Sequence, residues 1–430
     1  FVLRGNTQEV EILTLEDCLR IGIDNNLSLE GKRKEIQRSK YGVSENRSKL
    51  LPQINAIAGY SNNFDPPVSV TDGSSYGVPY NITQTLQHSA NAGLEMQMPL
   101  FNQTLYTSMS IAKVMEEISR LSYGKAREDV ILQISKMYYL GQVTAEQIML
   151  IKANITRLEE LRDITQAFFD NGMSMEVDLK RVNINLENLK VQYDNAQAMM
   201  KQQLNMLKYI MDYPAEKEIA LTPVNTDSIT TVALTGLSEN IYELQLSQSQ
   251  VQLAERQKKI ITNGYIPSLS LTGSWRYAAY TDKGYHWFHS GPSNQWFRSY
   301  GVGLTLRIPI FDGLDKTYKI KKAMIDIENK RLAWEDARKN LQTQYLNAVN
   351  DLMNNQRNFK KQKDNYLLAE DVYAVTSDRY REGIASMTEV LQDEMQMSEA
   401  QNNYISAHYN YRVTNLMLLK LTGQIESLVK

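Results

Sequence analysis

The stretch RYREGIASMTEVLQDE, Arg379–Glu394, decides how the chain folds. Upstream of it a large, mostly apolar residue stands at every seventh position: Tyr345, Leu352, Phe359, Tyr366, Tyr373 and Tyr380. An α-helix carries such a repeat on one seam and buries it against a neighbour in a left-handed coiled coil. The seam stops at Gly383, a residue that costs roughly 1 kcal/mol inside a helix but ends helices well because it tolerates the left-handed conformation. Ser386 and Glu389 then form the S-x-x-E pattern of a capping box. The stretch reads as a tip, where one long helix ends at Gly383 and a return helix starts at Ser386.

Working outward, the landmarks recur at an offset of about 210 residues. Leu51-Pro52-Gln53-Ile54 returns as Ile266-Pro267-Ser268-Leu269, Pro99-Leu100-Phe101-Asn102 as Pro309-Ile310-Phe311-Asp312, and Gly172 with Asp178 as Gly383 with Glu389. Two copies of one unit follow. The first, 1–211, holds a helix from about 15 to 50 with Thr14 as N-cap, a β-hairpin at about 52–99, a long helix at about 103–169 and a helix at about 174–211. A linker covers 212–235. The second copy, 236–430, repeats the order, with a hairpin at about 267–309, a long helix at about 314–381 and a helix at about 386–422. Asn102 and Asp312 stand where N-caps of the long helices belong, and Pro99 and Pro309 end the strands before them. The first long helix carries Ile134, Gly141, Ile148 and Ile155 at sevens, interleaved with Met137, Thr144, Ile151 and Leu158. In the second, Arg331 and Arg338 interrupt one of the two series.

Composition narrows the function. Lys plus Arg number 47 against 49 Asp plus Glu, a net charge of −2, so there is no electrostatic case for nucleic acid. No run of apolar residues is long enough for a membrane-spanning helix, which leaves β-strands as a way across a bilayer. No signal-peptide pattern stands at Phe1, so export implies a leader already removed. The single Cys18 is expected to pack rather than react. His286 and His289 are the only histidines close together and have no Cys or carboxylate cluster beside them, so no metal is expected. No phosphate-binding Gly-Lys loop or nucleophile elbow occurs, so neither a cofactor nor an enzymatic activity is expected.

Four segments alternate with period two. Ile54, Ala56, Ala58 and Tyr60 alternate with polar or small neighbours, as do Ala90, Ala92, Leu94, Met96 and Met98, then Leu269, Leu271, Trp275 and Tyr277, then Val302, Leu304, Leu306 and Ile308. Between Leu50 and Leu94 the only charges are Asp65 and Asp72. The helices are occupied by their own seams, so lipid is the expected cover of the apolar face and water of the polar one. Four strands cannot close a wide barrel, and an open edge cannot sit in hydrocarbon. Two, three or four chains must therefore contribute, giving eight, twelve or sixteen strands. The aromatic loop Ala278–Arg298, with Tyr280, Tyr285, Trp287, Phe288, Trp296 and Phe297, is expected at headgroup level.

LPQI at Leu51 and IPSL at Ile266 opening the hairpins, RIPIFDG at Arg307–Gly313 and RYREGIASMTEVL at Arg379–Leu391 together resemble the TolC-like outer-membrane efflux proteins over nearly the whole chain. That resemblance implies a mainly α protein with β: a homotrimer with a 12-stranded outer-membrane barrel continued by a 12-helix periplasmic tunnel. It implies a passive exit duct of tripartite efflux or type I secretion, embedded in outer-membrane lipid of a Gram-negative bacterium. The duct would work with a periplasmic adaptor and an inner-membrane pump of RND or ABC type. The tips that meet the adaptor correspond to Gly172, Met173, Gly383, Ile384, Ala385 and Ser386, and the gate at the entrance to Asp178, Tyr380 and Glu389. Two positions depart from the family pattern, Ala385 for an arginine of the closing network and Gln392 for a ring aspartate. The competing reading is a periplasmic coiled-coil scaffold or adaptor without a pore. The two-faced strands separate it from a channel, because a scaffold has no use for a lipid-facing surface.

Overall fold

Both heptad seams form single helices, α3 over Gln103–Asp170 and α6 over Asp315–Arg381. The computed structural model describes residues 10–223, 236–281 and 296–429, apart from 67, 73, 75, 76, 78, 79 and 85. The remaining helices are α1 (Leu15–Asn25), α2 (Leu27–Ser48), α4 (Glu176–Met211), α5 (Tyr242–Asn263) and α7 (Met387–Leu421). A 3-10 turn, Ile425–Val429, follows α7. The strands are β1 (Glu11–Leu13), β2 (Gln53–Asn62), β3 (Val68–Asp72), β4 (Tyr80–Gln84), β5 (His88–Phe101), β6 (Ile219–Leu221), β7 (Ser268–Thr281) and β8 (Trp296–Arg307). The chain divides into a helical unit, 1–36 with 119–248 and 332–430, and a strand-bearing unit, 37–118 with 249–331.

In the strand-bearing unit, β2, β5, β7 and β8 form one antiparallel sheet in the order β2-β5-β7-β8. Register sorts its two faces. Ile54, Met96, Gly273 and Val302 align across the four strands, as do Ala56, Leu94, Trp275 and Tyr300. The intervening rows are Gln53-Gln97-Thr272-Gly303 and Asn55-Glu95-Ser274-Gly301. Because side chains alternate faces along a strand, these rows put an apolar surface on one side and an amide-, hydroxyl- and charge-bearing surface on the other. Glu95 and Arg276 pair on the polar side. On β8, Tyr300, Val302, Leu304 and Leu306 are 61–79 % exposed.

Between β2 and β5 the connection of the expected hairpin holds a second two-stranded sheet, β3 with β4. Its strands are five residues each, too short to show a convincing period. Residues 282–295, with Tyr285, Trp287, Phe288, His286 and His289, lie outside the described residues, as do linker residues 224–235.

The junctions explain where the long helices start. The Asn102 side chain accepts from the Thr104 and Leu105 amides at 3.0 and 3.3 Å, a side-chain N-cap for α3. At the second junction Gly313 and Leu314 are left-handed, with φ of 66° and 68°, and Asp312 reaches over them to accept from the Lys316 amide at 3.2 Å. Lys316 also donates its ammonium to that carboxylate and holds its pKa below the ordinary range.

The helical unit is built on a core where α1, α3, α4, α6 and α7 meet, with Leu19, Leu29, Ile131, Ile134, Leu207, Met211 and Leu418 fully or nearly fully buried. Cys18 is buried there, its thiol pushed up to about 12 mainly by burial. The single helix expected from about 15 to 50 is broken at Asn26. That side chain caps the Leu29 amide at 3.1 Å and donates to the Ile210 carbonyl at 2.7 Å, turning the chain between α1 and α2. Beside the core, β1 pairs in parallel with β6. The Tyr138 hydroxyl donates to the Leu13 carbonyl and meets the Thr222 hydroxyl at 2.6 Å, tying this strand pair to α3. The interrupting arginines are paired, Arg331 with Glu255 at 3.0 Å and Arg338 with Glu239 at 3.9 Å.

Gly124 of α3 faces the Tyr242 ring at the start of α5, and a Cβ there would lie 2.4 Å from it. Gly124→Ala is therefore expected to destabilise the protein by about 1–3 kcal/mol through overpacking. A drop of several degrees in the circular-dichroism melting midpoint, reduced when Tyr242→Ala is added, is the expected result.

Candidate functional site

The two tips have the same backbone. Gly172 and Gly383 have φ of 73° and 74°. The Gly172 amide donates to the Phe169 carbonyl and the Met173 amide to that of Phe168; the Gly383 and Ile384 amides donate to those of Tyr380 and Arg379. These paired bonds are the Schellman closure, which satisfies the last carbonyls of α3 and α6 and needs a left-handed residue at the glycine. The return helices start differently. Ser386 and Glu389 make both bonds of a capping box, at 3.2 and 3.3 Å. Met175 at the start of α4 makes no side-chain cap bond.

Under the tips lies a core of Leu158, Leu161, Val182, Leu186, Tyr373, Val390 and their neighbours, drawn from α3, α4, α6 and α7. Tyr380 belongs to it and is 6 % exposed. Its ring lies 5.7 Å from that of Phe168, and its hydroxyl is 3.3 Å from the Thr165 hydroxyl. Ala385, 9 % exposed, packs into the same core. Met173, Met175 and Ile384 are exposed around the turns, and so is Gln392 beyond them.

Of the predicted gate residues, Asp178 accepts from Arg181 at 3.3 Å, Tyr380 faces α3, and Glu389 bonds its own cap. Among the described residues no hydrogen bond or ion pair joins these three to one another. A further side chain linking the two tips is absent from the predicted site residues: Arg181 also donates to the Thr388 hydroxyl at 3.3 Å, bridging α4 and α7. Its place three residues after Asp178 marks an intrahelical pair, but the contact with Thr388 is tertiary and leaves no local signal.

A second unforeseen group is Glu394, buried in the same region. Burial raises its pKa, with the Arg157 guanidinium working against the shift. Arg157 itself donates to Glu370 at 3.4 Å and to Asn154, and sits 5.9 Å from the Tyr373 ring. One Glu394 carboxyl oxygen and the Arg157 Nε have no partner among the described residues. No group of three or more His, Cys, Asp or Glu among the described residues is arranged to hold a metal ion.

The model of the outer membrane efflux protein family matches the chain over residues 21–211 and 233–424. The chain belongs to this family. It is 21 % identical to the outer membrane protein TolC of Vibrio cholerae serotype O1, over 89 % of this chain and 84 % of that protein. It is 23 % identical to the probable efflux pump outer membrane protein TtgC of Pseudomonas putida, over 95 % of this chain and 82 % of that one. The open-state MtrE outer membrane channel of Neisseria gonorrhoeae has the same fold, with a TM-score of 0.76 at 19 % identity, covering 95 % of this chain and 88 % of that chain. This efflux protein is thus a mainly α chain with a four-stranded sheet, located in the outer membrane of a Gram-negative bacterium.

Two predictions follow from the tip chemistry. Ser386→Ala removes one capping bond and is expected to cost about 1 kcal/mol, seen as roughly five-fold faster amide exchange at residues 387–390. For Glu394, whose ordinary pKa is 4.5 and whose folded value is higher, burial carries no charge penalty below about pH 4.5. As pH rises from there the unfolded chain ionises first, so stability is lost toward and through the folded pKa. Glu394→Gln should remove that loss, and the melting midpoint of the wild type relative to the variant should fall as pH rises above about 4.5.

Proposed function

We propose that the chain is one third of a passive exit channel: a homotrimer whose sheets close as a 12-stranded barrel and whose helices supply a 12-helix duct. The observation that carries this reading is the open four-stranded sheet, with one apolar face and each edge strand paired on one side only among the described residues. In lipid such edges must be paired by further copies. A second support comes from the helices. Leu332, Leu346, Met353 and Leu367 stand on one seam of α6, and Val177, Ile184 and Val191 on one seam of α4, at sevens or multiples of seven, all exposed. Heptad stripes without an internal partner fit contacts between copies.

The duct receives small molecules or secreted polypeptides from a periplasmic adaptor and an inner-membrane pump of RND or ABC type, and catalyses no reaction. The adaptor docks on the tips, Gly172, Met173, Gly383, Ile384 and Ser386, where apolar side chains stand exposed. Ala385 supports the second tip from below. Asp178, Tyr380 and Glu389 line the gate, and three copies of each carboxylate around the axis attract cations. With Ala385 and Gln392 replacing charged groups of the family pattern, the Asp178–Arg181–Thr388 bridge, with Arg181 donating to both, takes over part of the closing network.

Two measurements test this. The purified protein should require detergent and run as a heat-sensitive trimer on denaturing gels; a monomer soluble in plain buffer would indicate the poreless scaffold instead. In planar bilayers, Asp178→Asn with Glu389→Gln should raise single-channel conductance or relieve block by divalent cations, and unchanged values of both would refute the gate assignment.

A further inference from the structure

The helical unit contains a cavity of about 360 Å3 between α3, α5, α6 and α7, away from the tips. Its apolar wall is Leu132, Ile241, Leu341, Ala348, Met417 and Leu421. Into this setting α3 places Glu128, 4 % exposed. No hydrogen bond or ion pair holds its carboxyl among the described residues, although charged neighbours surround it. Those neighbours have partners of their own. On α3 itself Lys125 pairs with Glu243 of α5 at 3.0 Å, and Asp129 takes the ammonium of Lys420 from α7. Glu426, in the turn after α7, is bonded by Arg127 at 2.7 Å. From α6 comes Asp351, a second lining carboxylate with no ion pair or hydrogen bond among the described residues. Tyr242 of α5 is the remaining titratable group close to Glu128.

The balance is a chamber with an apolar wall, one buried unspent carboxylate in Glu128, a solvent-exposed one in Asp351, and two lysines already neutralised. A buried carboxyl without a donor is costly, and natural proteins pair such groups. An organic cation supplies the missing charge and donors at one end and fills the apolar wall at the other. An anion would meet Glu128 and Asp351 directly, and a strongly hydrated metal ion would gain nothing from the six apolar side chains.

We propose that this cavity binds a small apolar ammonium ion, its cationic head against Glu128 and its hydrocarbon body against Leu341, Ala348 and Met417. The volume lies within the range of small-ligand pockets, about 300–1,000 Å3, enough for two fused aromatic rings with an aminomethyl arm. Burial, with Glu426 and Asp129 adding to it and Lys420 opposing it, raises the Glu128 carboxyl to about 7. A proton and the ligand therefore compete for the same oxygens. The site goes beyond the channel reading, since it lies within one chain.

The test uses the whole protein in lipid nanodiscs, titrated calorimetrically with 1-naphthylmethylammonium, with 1-naphthoate as the anion of similar shape and empty nanodiscs as blank. The cation should bind one per chain at pH 8 and about tenfold more weakly at pH 6, the ratio of ionised fractions for a group titrating near 7. Glu128→Gln should weaken binding at pH 8 at least tenfold and abolish the pH dependence. Ala348→Phe, which fills the chamber and leaves the carboxylate in place, should abolish binding, so a fold defect in one variant does not decide the matter. Equal binding of naphthoate, wild-type affinity in Glu128→Gln, or no heat above the blank would overturn the proposal. The last is what a side chain of a second copy filling the chamber would give.

Discussion

A strand in hydrocarbon must give every backbone N–H and C=O to a neighbour, because no water is there to take them. In this chain β5 and β7 meet that demand internally, while β2 and β8 each pair on one side only among the described residues. Much of the rest answers to that shortfall. Over its central rows the sheet is two-faced, apolar on one side and polar on the other. The long helix α6 carries apolar heptads on more than one seam, one packed within its own chain and one exposed. In α6 the inner seam is Tyr345, Tyr373 and Tyr380, all buried, and the exposed one is Leu332, Leu346, Met353 and Leu367.

The tips show a second constraint, competition for the same side chains. Glu389 lies in the first turn of α7, where its carboxylate satisfies the Ser386 amide. A carboxylate at a helix N-terminus is already favoured by the dipole and by the unsatisfied amides. Any role for Glu389 in the passage of ions must therefore be compatible with that bond. Asp178 differs: its helix start has no side-chain cap, and its carboxylate goes to Arg181, which in turn holds Thr388. The two halves of the duplication thus share a backbone closure and differ in what secures the return helix.

Much of this was legible from the sequence because it is written in local signals. Gly383 and Gly172 end seams, Ser386 and Glu389 have capping-box spacing, Asn102 caps the helix it precedes, and the strands alternate. What was not legible is tertiary. The break at Asn26 depends on a carbonyl at Ile210, far along the chain. The β1–β6 pair joins segments too short for a period to show. Leu314 is left-handed against the preference of its own side chain, so the second junction looked like a copy of the first and is not. Arg181, Glu394 and Glu128 sit in helices where a charge is ordinarily a solvated face. Only packing shows that Glu394 and Glu128 are buried.

Long uniform heptads carry a hazard of their own, for a seam that repeats every seven residues loses little when one helix slips by seven. The polar layers between α3 and α7 remove that freedom. Glu146 accepts from the Tyr404 hydroxyl at 3.0 Å and faces His408, whose other nitrogen accepts from Arg412 at 3.0 Å. Two turns further along α3, Asn154 donates to Gln401 at 2.7 Å inside the core. A slip would separate these partners and leave buried amide and carboxylate groups unmatched, at about 1–3 kcal/mol for each one. Such layers contribute little net stability in the correct register. Their effect is on the alternatives, because a slipped alignment loses the Tyr404–Glu146 and Asn154–Gln401 bonds that the observed one makes.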